Sequence, residues 1–209
     1  MTEKKINIVF VICMQNDFIG PKGLKSDRII QQAGLVLHGG AKASARILGS
    51  ENGPTPIDDL FEAIHGDDNT YVIYIEDHHV DDPNDEAINA HFDIFGPHCV
   101  DGTEGALPVG KLGMFQQQRR SQVIETDALG LITHQPVVDA VLSILRECEI
   151  DEASEVNFLV VGGLTDVLVA DCARGLNHIC GVPNPWRDGE RWNFFLNVAV
   201  SNTYCFSNN

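Results

Sequence analysis

Four stretches of this chain are nearly continuous in apolar and β-branched residues. Residues 6–12 (Ile-Asn-Ile-Val-Phe-Val-Ile) are the first, with the pattern of a strand covered on both faces. Residues 71–75 and 156–161 repeat that character, the second ending at Gly162-Gly163, and residues 194–200 are the last. Residues 121–125 are a weaker strand candidate. Between these runs the apolar spacing changes to that of helices. Residues 135–145 carry Pro136 near their start and apolar positions at helical intervals. A second helix is predicted from Thr165 to about His178, with Thr165 or Asp166 as its cap. Residues 57–64 and 29–48 are further helices, the latter broken at Gly39-Gly40.

Strands alternating with helices imply parallel pairing through right-handed crossovers. The expected architecture is α/β: a three-layer sandwich with a mainly parallel sheet flanked by helices, in one domain over residues 1–209. The Gly-, Pro- and Asp-rich segment from His78 to Gln118 reads as one long loop, and such loops usually carry function.

Composition narrows the partners. The formal net charge is −16, from 14 basic and 30 acidic residues, so the chain repels phosphate backbones and nucleic acid is excluded as a partner. No apolar run approaches the roughly 20 residues of a membrane span, so no membrane partner is expected. The apolar run after Met1 is short, Val- and Ile-rich and continuous with the Cys13–Phe18 segment, so it reads as a strand and not as a leader. Six cysteines are scattered without a CxxC pair, mostly in apolar surroundings. That suits reduced thiols and a cytoplasmic location.

Four segments carry candidate chemistry. They are Cys13-Met14-Gln15-Asn16-Asp17-Phe18, Glu76-Asp77-His78-His79, Pro97 to Leu107 (PHCVDGTEGAL) and Gly162 to Val169 (GGLTDVLV). Each of the first, second and last comes after a predicted strand, where ligands bind in open parallel sheets. In this order the segments resemble the DxQxDF, DWH, HCVxGTxGA and GxxTDxCV motifs of the nicotinamidase/isochorismatase superfamily of cysteine hydrolases. The resemblance runs from the first strand to near the C-terminus.

That family's mechanism implies a nucleophilic cysteine, an aspartate base and a charge-stabilising lysine. Here the aspartate position holds Cys13 and the nucleophile position holds Leu168. The strand expected to carry the lysine, around residues 123–126, has none. Cys172 lies one helical turn beyond Leu168 and is a candidate relocated thiol, as is Cys13. Against both stands the lack of the electropositive, partly exposed setting that reactive thiols need. The buried-core reading of these cysteines is therefore preferred.

The resemblance implies metal ligands at Asp77, His79 and His98, with Zn²⁺, Mn²⁺ or Fe²⁺ as the metal and no organic cofactor. Asp77 and His79 are two apart on an extended segment and so point to the same side. His78 replaces the tryptophan of DWH, which removes an aromatic wall from the pocket. His91 reads as a surface loop residue or an outer ligand. Substrate-binding positions implied by the resemblance are Phe18, His78, Gly163 and Leu164, the Gly163–Leu164 bond falling where the family often has a cis peptide. Gln15 and Asp17 are expected to hydrogen-bond loop backbone.

The expected function is an atypical or catalytically inactive member that binds a small molecule. The alternative is a hydrolase of a small amide, using a metal-bound water or a relocated cysteine. A homodimer or homotetramer is expected, because the family usually oligomerises and the chain stops soon after its last strand.

Overall fold

Strand β1 (Lys5–Ile12) forms where the first apolar run predicts it, and the residues from Ile8 to Ile12 are all buried. It is the middle of a five-stranded sheet with β2 (Thr70–Asp77), β3 (Ser121–Thr126), β4 (Glu155–Gly163) and β5 (Phe195–Phe206), in the order β3-β2-β1-β4-β5. All four pairings are parallel. The computed structural model describes residues 4–20, 22, 40–127, 134–163, 168–177 and 194–206.

Helices flank the sheet. They are α1 (Asn16–Ile19), α2 (Gly40–Ile47), α3 (Pro56–His65), α4 (Glu86–Phe95), α5 (Leu112–Phe115), α6 (Gln135–Glu147) and α7 (Ala170–Leu176). The chain steps one way from β1 to β2 and β3, then back past β1 to β4 and β5. Right-handed crossovers therefore put α2 and α3 on one face and α6 and α7 on the other. Proline in the first turn starts both α3 and α6. Helix α6 buries Val137, Ala140, Val141, Ile144 and Leu145, the three-and-four spacing that selects one face of a helix. Phe10 and Phe158 meet across β1 and β4 at 6.0 Å between ring centroids.

Several sequence expectations change. The segment from His78 to Gln118 is not one loop, since α4 and α5 lie inside it. Asp85 caps α4 by accepting hydrogen bonds from the amides of Ala87 and Ile88, and Gly96 closes it with φ 76°. The last strand is longer than expected and reaches Phe206, with an irregularity opposite Val160 and Gly162. Helix α7 begins at Ala170, after a wider turn at Leu168 and Val169. The expected cap at Thr165 or Asp166, the Gly163–Leu164 bond with Leu164, and residues 29–39 of the second-named helix lie outside the described residues. Among the described residues no helix is long and apolar enough to cross a membrane.

The strand order reverses at β1, between β2 and β4. The crevice beyond the carboxyl ends of these strands is where a doubly wound sheet binds ligands. Cys13, at the end of β1, takes a left-handed backbone conformation (φ 49°), and Cys99 does the same (φ 45°). Such conformations in non-glycine residues cluster at functional sites.

Candidate metal centre

Asp77 is the last residue of β2, and its backbone is clamped by Gln15. The Gln15 side chain accepts from the Asp77 amide at 2.8 Å and donates to the Asp77 carbonyl at 2.8 Å and the Ala106 carbonyl at 2.9 Å. Asp17 performs a parallel task. Its Oδ2 accepts from the Cys99 amide at 2.9 Å, which fixes the strand-like segment that carries His98. Gly105 makes room for that carboxylate, because a Cβ there would fall 2.0 Å from Asp17 Oδ2. Both residues thus hold loop backbone, as the motif led one to expect.

The two histidine segments are aligned by a short parallel bridge between His79 and Val100. The His79 amide donates to the Cys99 carbonyl at 3.1 Å, and the Asp101 amide donates to the His79 carbonyl at 2.9 Å. This register brings the side chains of Asp77, His79 and His98 together. His79 Nε2 lies 3.2 Å from each Asp77 carboxylate oxygen, and His98 Nε2 lies 3.1 Å from Oδ2. The alternation rule that set Asp77 and His79 on one side is realised here. His78 points the other way and sits 3.8 Å from Glu125.

His98 has a defined tautomer. Its Nδ1 is 2.7 Å from the Gly96 carbonyl, which can only accept, so Nδ1 carries the proton of the neutral ring, and a second proton, on Nε2, is the one the Asp77 carboxylate accepts when the ring is charged. Metal-bound histidines are commonly oriented in this way, by a carbonyl on the far ring nitrogen. His79 Nδ1 is buried with no hydrogen-bond partner among the described residues.

Electrostatics point the same way. Burial pushes the Asp77 carboxyl up, but hydrogen bonds from His79 and His98 outweigh it and leave its pKa lowered. Burial disfavours charge on His98, yet its hydrogen bonds to Asp77 and to the Gly96 carbonyl raise its pKa. The carboxylate is thus built to face positive charge. Asp17 is half-buried behind His98, and that burial raises its pKa despite the hydrogen bond from the Cys99 amide.

The sequence places His91 in a loop or as an outer ligand, and the structure corrects the loop reading. It lies on α4 with its Nε2 3.4 Å from His98 Nε2. Donor atoms of His79, His91 and His98 all lie within 4.8 Å of one another. The signal is present in the sequence: Asp85 and Gly96 bracket a helix, and Ile88, His91 and Phe92 share its inner face. Burial, followed by the neighbouring His79 and His98, lowers the pKa of His91.

A cavity of about 520 Å³ opens beside the cluster, lined by His78, His79, His91, Glu125, Thr126 and Asp127 among others. His78 therefore lines this cavity. Phe18 does not line this cavity. It is buried and packs edge-on against the His98 ring at 5.6 Å, so it supports a histidine. Gly163 is buried at the end of β4, paired with Phe206.

The thiol positions are poorly suited to attack. Cys13 is 3% exposed, and burial together with the nearby Asp77 carboxylate pushes its pKa well up. Cys172 is fully buried, and burial with Asp171 beside it raises its pKa to about 12. Leu168 is 4% exposed and part of the core. A thiolate, which nucleophilic attack requires, is disfavoured at both cysteines.

No protein-family model matches the chain, and no curated protein matches it. Solved structures do. Nicotinamidase/pyrazinamidase from Bacillus subtilis superposes with a TM-score of 0.61 at 16% identity, over 98% of this chain and 88% of that one. Pyrazinamidase/nicotinamidase from Streptococcus mutans gives 0.56 at 18% identity, over 93% and 87%. N-carbamoylsarcosine amidase from Thermoplasma acidophilum gives 0.51 at 18% identity, over 91% and 80%. Sheet order and these superpositions agree, and the chain has the α/β fold of these amidases.

Proposed function

We propose that this chain binds a divalent cation through Asp77, His79 and His98, and a small molecule in the cavity beside them, without using a cysteine nucleophile. The observation that supports the reading best is the convergence of two buried imidazoles on one half-buried carboxylate, with the His98 tautomer set by the Gly96 carbonyl. One carboxylate and two imidazoles suit Zn²⁺, Mn²⁺ or Fe²⁺. A cation held there would supply Lewis acidity to a carbonyl oxygen of the bound molecule. The chain's own groups orient that molecule: His78 and Glu125 form one wall of the cavity, and Thr126 and Asp127 lie at the end of β3.

The test is the metal content of untagged protein after incubation with zinc or manganese, measured beside His79→Ala. Near-stoichiometric metal in the native protein and none in the variant is the expected result. No metal in either would sink the reading. Turnover of a small amide by the loaded protein, abolished by chelator, would favour the hydrolase alternative with the same residues.

A thiol-based hydrolase makes the opposite demand. Site-resolved iodoacetamide labelling of the folded protein is expected to leave Cys13 and Cys172 unmodified until denaturant is added. Half-buried Cys148 serves as the internal comparison. Rapid labelling of Cys13 or Cys172 in the native state would restore the relocated-nucleophile alternative.

A further inference from the structure

We propose that the outer edge of β5 is a docking surface for a second copy of this chain, paired antiparallel about a two-fold axis at Val198, so that two five-stranded sheets run on as one. Strand β5 ends the sheet, and among the described residues no strand pairs with its outer side. Which backbone groups face that side follows from one contact: the Phe195 amide donates to the Ser154 carbonyl at 2.9 Å. In an extended strand each residue points its N–H and C=O to one side, and the next residue points its own to the other. Phe195, Asn197 and Ala199 therefore bond towards β4, and Leu196, Val198 and Val200 offer their backbone groups outward. An unpaired row of this kind is a template for another strand.

Exposed edges are ordinarily guarded by charges, prolines or bulges. The opposite edge of this sheet is guarded, since β3 carries Glu125, with Arg119 and Arg120 before it and Asp127 after it. Strand β5 is not. None of the chain's 30 acidic and 14 basic residues lies in it, nor does a proline or a glycine. Its irregularity falls beyond Val200 and leaves residues 195–200 in regular register. The carboxylate that reaches Asn197, that of Glu155, is neutralised by Lys5 at 2.8 Å. Phe195 is 64% exposed and Val200 39%, so apolar surface stands ready at this edge.

Charge selects a second copy as the occupant. In a chain of net charge −16, a surface that meets its own image brings like charges together unless it carries none. Residues 195–200 carry none. A two-fold axis demands self-complementarity, and β5 supplies it. With the axis at Val198, Val198 faces its own image, and Leu196 of each copy faces Val200 of the other. This register engages every outward-pointing residue of the regular segment, and each pair exchanges both of its hydrogen bonds. It also aligns Leu196, Val198 and Val200 as an aliphatic strip across the axis on one face of the sheet. On the other face it sets Asn197 beside Ala199. Uncharged and β-branched cross-strand pairs of this sort are what stabilise a sheet.

Sedimentation equilibrium of the full chain over a concentration series, with hydrogen exchange resolved to single amides in residues 195–200, tests this. The native protein is expected to form a dimer, and the Leu196, Val198 and Val200 amides to gain protection as concentration rises. Val198→Pro removes the N–H at the axis and no bond to β4. It is expected to raise the dimer dissociation constant about 30-fold, through the loss of two hydrogen bonds. Val200→Lys puts a charge against the second copy's Leu196 and should weaken the dimer through the side chain instead. Circular dichroism checks that both variants fold. Val123→Lys, on the opposite edge at a position 43% exposed, should leave the dimer intact. A native protein that stays monomeric at the highest concentration reached overturns the proposal. So does a dimer that both β5 variants leave unchanged, or one that Val123→Lys disrupts. Protected β5 amides in a monomer would show another segment on this edge, and overturn it as well.

Discussion

Gly162→Ala is expected to abolish folding, or to cost more than about 4 kcal/mol, the range reached only by a few identifiable mechanisms. Gly162 stands in β4 directly beside Ile12 of β1, with φ +122°. A Cβ built there would lie 2.0 Å from the Ile12 carbonyl oxygen and 2.7 Å from its amide nitrogen. Neither atom belongs to a side chain that can turn away. Both are backbone of the central strand, whose neighbours on each side are hydrogen-bonded to it. Backbone strain of this kind costs on the order of 1–3 kcal/mol before the clash is counted, against a typical total stability of about 5–15 kcal/mol. Denaturant unfolding monitored by circular dichroism measures it. A variant within about 1 kcal/mol of the native protein would mean that β1 and β4 can separate without loss, and that the close approach at Gly162 is not needed.

Gln15→Leu is the second large effect, and it separates support from ligation. Leucine matches much of the side chain's bulk but cannot replace its three hydrogen bonds to Asp77 and Ala106. Gln15 is 1% exposed, so water cannot substitute. Each buried backbone group left unmet costs about 1–3 kcal/mol, and the sum is expected near 3–5 kcal/mol. The carboxylate of Asp77 itself is untouched. Only its anchorage is loosened, and changes of this kind lower metal affinity about 10- to 100-fold. Thermal unfolding and a competitive zinc titration measure the two effects separately. Lost stability with unchanged zinc affinity would show that Gln15 serves the fold alone, and that Asp77 needs no clamp to bind.

Residues 6–12 are apolar on both faces because β1 lies in the middle of the sheet, and their strand is readable from that alone. The same logic gives β2, β4 and the amphipathic helix α6. It fails for residues 86–95, whose helix is held by a cap, a glycine and a shallow inner stripe. The apolar periodicity there is too shallow to mark a helix, and only the bracketing pair Asp85 and Gly96 signals one. Phe18, expected to pack in the core or to line the pocket wall, takes the core for a related reason. An aromatic at a strand-to-helix turn can face solvent, ligand or core, and only the packing around His98 decides which.

The sequence by itself determined the periodicity of the strands, the parallel α/β class, the strand-end placement of the motifs, and the pairing of Asp77 with His79 on one side of an extended segment. These come from local rules: alternation, helical spacing, and the residues that start and stop each element. Tertiary structure alone decided that His91 joins His79 and His98, that the Gly96 carbonyl sets the His98 tautomer, and that Cys13 and Cys172 are buried with raised pKa values. Those properties depend on distances between segments remote in the chain and on how much water reaches each atom. Both are settled only when the sheet closes and its strand ends converge.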